Sequence, residues 1–367
     1  MRIVLTGGHI SPALSVIENL PVDAEVFFIG RKSTFEGDKS PSFEYQVIKG
    51  LNIPFFNLPN ARLQRKFTLH TVPSLLKLPY ALYRAAAILR KIKPDVVLGF
   101  GGYISLPVCT AAYFLKIPVV IHEQTLEAGF ANSEIAKWAK MICISWKTSQ
   151  DFFPKSKTVL TGNPIRKEIL ELKVEGRKSK VPILYITGGS SGSHFINELV
   201  GEILPKLLLK FHVIHQTGDS KIYNDFDKLL NIKKSLSKTL SEKYDLRKFT
   251  PVAEVGHMLQ NATLVIGRAG INTITELAYL KKPALLIPLP FAQNNEQKKN
   301  ALFLKDIGLA QVLEQGKFSP LKFVSKINEM TANIDSYTPK EAWGNLIDKN
   351  AALHIVSVVS DVAKKEK

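Results

Sequence analysis

The sequence predicts an α/β protein made of two Rossmann-like, doubly wound domains facing a central cleft. Three observations lead there. Short apolar runs alternate with amphipathic helical stretches along the chain, the pattern of βα units that feed a parallel sheet. That alternation is interrupted by a charged, turn-rich stretch over 171–182 and begins afresh at Ile183. A chain of 367 residues also exceeds one average domain and suits two. The boundary is expected near 163–173. It gives an N-terminal domain over 1–163, a C-terminal domain over 164–345 and a last helix over 346–367 that packs back on the N-terminal domain.

Taken in order, apolar runs predict strands at 2–6, 24–29, 96–99, 118–122, 141–144 and 158–161 in the first half. In the second half they predict strands at 183–187, 212–216, 264–266 and 284–288. Helical periodicity is clearest over 12–20 and 196–209. Each half opens alike, with a strand running into glycines: Thr6-Gly7-Gly8-His9 in one, Thr187-Gly188-Gly189-Ser190-Ser191-Gly192 in the other. Open α/β sheets bind ligands at the carboxyl ends of their strands, so both loops are candidate ligand contacts.

Composition narrows the function classes. Hydrophobic residues make up 45% and charged residues 22%, which is ordinary for a globular protein. The two cysteines, Cys109 and Cys143, lie in apolar surroundings without metal-ligand spacing and read as reduced core residues of a cytosolic protein. The chain enters a strand at its first residues, so no signal peptide is expected. No apolar stretch approaches the roughly 18 to 20 residues needed to span a bilayer. The net charge of +17 calls for a polyanion: nucleic acid, anionic lipid or a phosphorylated substrate. No nucleic-acid motif accompanies it, which disfavours the first, and a basic proteome is the bland alternative.

Several segments could carry chemistry. Gly188 to Ser193 places glycines and hydroxyls between a strand and a helix, where backbone N–H groups and the helix dipole can cradle phosphate; a plain tight turn would look the same. Gly267-Arg268-Ala269-Gly270 repeats the device, with Asn272-Thr273 as a cap and Glu276 on the buried side of the next helix. A carboxylate there suits a pair of ribose hydroxyls, or else an ordinary salt bridge. The amide-rich run Gln293-Asn294-Asn295-Glu296-Gln297 matches the mixed donor and acceptor surface of a sugar, or a solvated loop. In the first half, His9, His122 and Glu123 are the titratable groups at strand ends, beside Gly99-Phe100-Gly101-Gly102-Tyr103. Asp225-Phe226-Asp227 has metal-binding spacing but sits in a Lys-rich stretch that reads as an exposed helix. Finally, LHTVPSLLKLPYALYRAAAILRKIK over 69–93, with Arg62, Arg65 and Lys66 upstream, mixes apolar side chains with cations. That suits the headgroup boundary of an anionic membrane, or a core helix with a solvated basic face.

As a set, TGGHISPAL, GFGGYISLPV, HEQTLEAGFAN, TGNPIR, GGSSGSHFIN, GRAGINTITELAYLKKPALLIPLP and NNEQKKNA resemble the MurG family in order and spacing over nearly the whole chain. The resemblance implies the GT-B fold and an inverting transfer of GlcNAc from UDP-GlcNAc to the C4 hydroxyl of MurNAc in lipid I, giving lipid II for peptidoglycan synthesis. It also implies peripheral attachment to the cytoplasmic face of the membrane. By the same resemblance Arg166 and Ser190 contact the donor diphosphate, the Val252 backbone contacts uracil, and Ile271, Asn272, Thr273, Ile274, Thr275 and Glu276 form the nucleoside-binding helix start. Gln297 holds the GlcNAc hydroxyls, while Thr6, Gly7, Gly8 and Thr125 lie near the sugar and the acceptor diphosphate. The catalytic base is expected at His9, with Glu123 as the alternative; no metal and no cofactor are expected. This chain departs from the family pattern where Val4-Leu5 replace two glycines of the first loop, where Thr125 replaces an asparagine, and where Glu296 precedes Gln297. Two rivals remain: another GT-B transferase acting on a lipid acceptor, and a catalytically impaired nucleotide-sugar-binding protein at the membrane surface.

Overall fold

The computed structural model describes residues 1–32, 42–58, 71–172, 181–189, 192–341 and 346–365. Two compact units emerge: residues 1–166 with 348–367, and residues 167–347.

The first unit is a parallel sheet of β1 (Arg2–Thr6), β2 (Glu25–Gly30), β3 (Phe55–Asn57), β4 (Val96–Gly99), β5 (Val119–Glu123), β6 (Met141–Ile144) and β7 (Thr158–Leu160). Its helices are α1 (Ile10–Glu18), α2 (Phe43–Gly50), α3 (Thr71–Ile92), α4 (Gly102–Phe114) and α5 (Phe130–Ala136). The strand order is β3-β2-β1-β4-β5-β6-β7. Both faces are covered, which explains the unbroken apolar runs in the strands. Side chains of successive residues go to opposite faces: Val4 joins α3, α4 and α5 on one side. Ile3 and Leu5 join α1 on the other, with Ile355, Val356, Val359 and Val362. Those four belong to a helix at the end of the chain, so the first unit is completed by the last residues.

The second unit repeats the plan. Its strands are β8 (Ile183–Thr187), β9 (His212–Gln216), β10 (Tyr244–Arg247), β11 (Leu264–Gly267), β12 (Ala284–Leu286) and β13 (Ala310–Val312), ordered β10-β9-β8-β11-β12-β13. Its helices are α6 (Lys167–Leu170), α7 (His194–Leu208), α8 (Asp225–Ser235), α9 (Lys238–Ser241), α10 (Val252–Asn261), α11 (Ile271–Tyr279), α12 (Glu296–Ile307) and α13 (Pro320–Ala332). The helix at the chain's end is α14 (Ala351–Lys365). One face of the sheet is filled by α7 and α13 through Ile196, Val200, Leu204, Phe323, Ile327 and Met330.

The expected strands all appear, shifted by a residue or two at most, and the two Rossmann-like units are as predicted. Three strands were not foreseen: β3, β10 and β13, each at the edge of its sheet. An edge strand pairs on one side only and needs few apolar residues, so Tyr-Asp-Leu-Arg of β10 carries no strong periodic signal.

Candidate functional site

In both units the strand order reverses direction at one point, between β1 and β4 and between β8 and β11. Loops at the carboxyl ends of such strands part there and leave room for a ligand. The sequence-predicted glycine loops lie at these points.

In the second unit, β8 runs into Gly188 and Gly189, and Ser193 caps α7 by accepting the Ile196 N–H. A side chain on Gly192 would collide with the Thr217 carbonyl at 2.0 Å, so the turn demands glycine there. Ser190 and Ser191 lie outside the described residues. Gln216, at the end of β9, accepts from the Thr250 N–H (3.0 Å) and donates to the Gly189 carbonyl (3.1 Å). It thereby ties the glycine turn to the start of α10, whose first residue is Val252. Arg268 spans three loops, donating to Ser193 Oγ (2.8 Å) and to the Ile287 carbonyl beyond β12 (2.9 Å). Both partners are neutral, and burial pushes its pKa down to about 10.

α11 starts at Ile271 with Gly270 as its N-cap. Asn272 and Thr273 are therefore inside the first turn, not capping it as the sequence suggested, because Gly270 takes the extended conformation required of the cap. Ile271, Ile274, Thr275 and Glu276 are buried, Asn272 and Thr273 half-buried. The Thr275 hydroxyl donates back to the Ile271 carbonyl (2.9 Å). Gln297, in the first turn of α12, accepts the Leu289 N–H (3.0 Å). Asn300, fully buried one turn on, donates to the Ala269 carbonyl (3.0 Å) and moors α12 to the β11 loop. The N-termini of α7 and α11 thus follow the two central strands and α12 follows their neighbour, an arrangement of backbone N–H groups and dipoles suited to an anionic ligand. Arg166 is half-buried and ends the first stretch of the other unit.

In the first unit, the loops after β1 and β4 interlock. Phe100 N–H donates to the Thr6 carbonyl (2.8 Å) and Gly8 N–H to the Gly101 carbonyl (3.2 Å). Gly7 has φ +142°, and a side chain there would meet Phe100 Cβ at 2.9 Å. Thr6 is fully buried, and its hydroxyl has no hydrogen-bond partner among the described residues. His9 occupies the N-cap position of α1 without a side-chain cap bond. It is half-buried, and desolvation lowers its pKa to about 4. His122 is fully buried, with Nε2 3.0 Å from Ser145 Oγ and 3.3 Å from the Gly162 carbonyl. Burial likewise lowers its pKa to about 4, against the pull of the Gly162 bond.

Glu123 is built differently. Oε1 accepts from Thr125 N–H (3.0 Å) and Thr125 Oγ (2.6 Å); Oε2 accepts from Gly129 N–H (2.9 Å) and Asn132 Nδ2 (3.0 Å). Burial pushes its pKa up while these four donors pull it down. Thr125 is buried, its hydroxyl shared between Glu123 and the Glu127 carbonyl. Both side chains thus organise the loop after β5.

Sequence reasoning missed residues that hold these loops: Gln216, Asn132, Asn300 and Asn197. It also took Asp225 for an exposed residue. Asp225 is buried, 2.8 Å from His194 Nδ1, and accepts from Asn197 Nδ2 (2.9 Å). Residues two apart on a helix face different ways, so Asp227 is not beside it. Among the described residues no cluster of three or more His, Cys, Asp and Glu could hold a metal.

Comparison with known proteins matches both units. Residues 4–144 fit the glycosyltransferase family 28 N-terminal domain and residues 183–354 its C-terminal domain. A UDP-N-acetylglucosamine–N-acetylmuramyl-(pentapeptide) pyrophosphoryl-undecaprenol N-acetylglucosamine transferase of Lachnoclostridium phytofermentans is 32% identical over 99% of both chains. The enzyme of the same name from Clostridium tetani is 33% identical, over 92% of this chain and 91% of its own. Among solved structures, MurG of Acinetobacter baumannii aligns over 98% of this chain and 99% of its own, with TM-score 0.66 and 25% identity. A UDP complex of MnaA from S. aureus, at 12% identity and TM-score 0.67, shares the fold. The chain therefore belongs to glycosyltransferase family 28, among the UDP-N-acetylglucosamine–N-acetylmuramyl-(pentapeptide) pyrophosphoryl-undecaprenol N-acetylglucosamine transferases.

Proposed function

We propose that this protein moves GlcNAc from UDP-GlcNAc to the C4 hydroxyl of MurNAc in lipid I, forming lipid II for peptidoglycan synthesis. The near-full-length match to relatives bearing that activity carries the reading. The helix N-termini at the β8/β11 switch point support the donor half of it, since they offer an anion site where such sheets bind nucleotides. The acceptor hydroxyl attacks the anomeric carbon and UDP departs from the opposite face, which inverts the configuration. Charge growing on the diphosphate is met by the amides at the start of α7, by Ser190 and by Arg166. Glu276 receives the ribose hydroxyls, the Val252 backbone receives uracil, and Gln297 receives the sugar.

His9 takes the proton from the attacking hydroxyl. Its lowered pKa keeps the imidazole neutral near pH 7, as a base requires, whereas the oxygens of Glu123 are committed to four donors. Membrane attachment is assigned to the α3–α4 side of the first unit. Tyr80, Tyr83, Tyr113 and Phe114 are exposed there among Arg84, Arg90, Lys91 and Lys116. Aromatic rings rimmed by cations suit an anionic headgroup layer, and no described helix is long and apolar enough to cross a membrane. Arg62, Arg65 and Lys66 lie outside the described residues, as do the side chains of Leu75, Leu76 and Lys77.

Radiolabelled UDP-GlcNAc offered with a lipid I analogue tests the proposal, with UDP-glucose and diacylglycerol as controls. Label should pass only from UDP-GlcNAc and only to the lipid I analogue. Transfer to diacylglycerol, or donor binding without any transfer, would overturn it.

A further inference from the structure

The first turn of α7, whose backbone amides are assigned to the donor diphosphate, is held from two sides. On one side Arg268 donates to Ser193 Oγ. On the other lies the loop after β9, against whose Thr217 carbonyl the Gly192 backbone is pressed. One charged pair secures this second side. His194, the first residue of α7, stacks on Tyr223 with ring centres 3.9 Å apart and planes 12° from parallel. Its Nδ1 lies 2.8 Å from Asp225 Oδ1 and its Nε2 3.2 Å from Glu198 Oε1. A ring that donates to two carboxylates carries hydrogen on both nitrogens, which the imidazolium provides.

Asp225, the first residue of α8, is buried and joins two residues of α7. Its Oδ1 faces His194, and its Oδ2 accepts from Asn197 Nδ2 at 2.9 Å. His194 and Asn197 are three residues apart and share one face of the helix. A carboxylate that grips both fixes how α7 is turned about its axis, and with it where the free N–H groups of its first turn point. A second histidine stands nearby without adding charge. Asn197 gives its amide hydrogens to Asp225 and to the Thr217 carbonyl (3.1 Å), so its Oδ1 accepts from His215 Nε2 (3.1 Å). His215 Nδ1 then accepts from the Tyr244 hydroxyl (2.9 Å), and burial keeps this ring neutral, its pKa pushed down to about 3. His194, partly exposed, is the cation that meets the buried carboxylate.

We propose that His194, paired with Asp225, is a positioning residue for the donor, locking the start of α7 in the orientation that receives the diphosphate of UDP-GlcNAc. The assignment deepens the donor half of the proposed function and rests on it. His194 acts through the α7 amides. Without its imidazole the Asp225 charge stays buried against Asn197 with no cation beside it, and the first turn of α7 loses one of its two ties to α8.

Two measurements on the full chain test it. In steady-state kinetics, His194→Gln keeps a hydrogen-bond donor without the charge. KM for UDP-GlcNAc should rise about ten-fold, the low end for a lost charged hydrogen bond. KM for the lipid I analogue should change less than about two-fold. A purely structural role would instead lower the melting temperature and the amount of active enzyme, and leave both KM values alone. Asp225→Asn should raise donor KM in the same way. The variant carrying both changes should be no worse than either single one, because the two residues act as one pair. Separately, calorimetric titration with UDP should show about ten-fold weaker binding in His194→Gln than in wild type, a reading that stands even if Asp225→Asn does not fold. Unchanged UDP affinity and donor KM in His194→Gln overturn the inference, as do single effects that multiply in the double variant. If wild type transfers no sugar yet UDP binding still depends on His194, the functional reading fails and the positioning role stands. If transfer proceeds and His194→Gln keeps the wild-type donor KM, the positioning role fails and the function stands.

Discussion

His9 and Glu123 are both titratable groups at strand ends, and only their surroundings separate them. Desolvation holds the His9 imidazole neutral down to about pH 4. A base depressed in this way is ready across the neutral range and becomes inactive only on protonation. The acid limb of kcat/KM should therefore fall well below the ordinary histidine value of about 6.5, near pH 4 to 5. His9→Ala should lower kcat about 10²- to 10⁴-fold and abolish that limb; near-full turnover with an unchanged profile would remove His9 from the mechanism. Glu123→Gln should act on stability instead. The amide replaces one acceptor oxygen with a donor facing donors, at a cost of roughly 1–3 kcal/mol. A lower melting temperature with an unaltered shape of the pH profile is the expected result, and a lost pH limb would return Glu123 to the chemistry. Both residues were legible as strand-end groups from the sequence. Their division of labour was not, because two of the Glu123 donors, Gly129 and Asn132, are brought in by the fold of the following loop.

Elements were legible in proportion to how much they bury. Central strands such as β4 and β11, buried throughout, announce themselves as apolar runs. The edge strands β3, β10 and β13 do not, and neither did the N-cap of α11, since Gly270 caps by backbone conformation alone. What the sequence could not convey is how the loops are laced. Arg268, inside the glycine turn after β11, is a brace between the loops after β8, β11 and β12. Arg268→Lys tests the brace. A lysine reaches one of the two acceptors but has no planar fork to span both. Donor KM should rise about ten-fold with acceptor KM unchanged, and a variant with wild-type donor KM would show that the loops hold their places unaided.

The whole molecule is two sheets whose cores are separate clusters, yet the chain leaves the first unit at Arg166 and returns to it at Asp348. α14 delivers Ile355, Val356, Val359 and Val362 to the face of the first sheet that also holds Ile3, Leu5 and Leu98. Burying four such side chains contributes roughly 6–12 kcal/mol, comparable with the net stability of a whole domain. A lesion in α14 should therefore loosen the N-terminal sheet, which is distant in sequence, and spare the second sheet, which is closer. Ile355 is fully buried, so Ile355→Ala should cost roughly 2–5 kcal/mol. Hydrogen exchange resolved by peptide reads the consequence unit by unit. Amides of β1, β4 and β5 should exchange faster in the variant, with β8, β9 and β11 keeping wild-type protection. Equal loss in both sheets would mean that the two units unfold as one and that α14 braces the molecule as a whole.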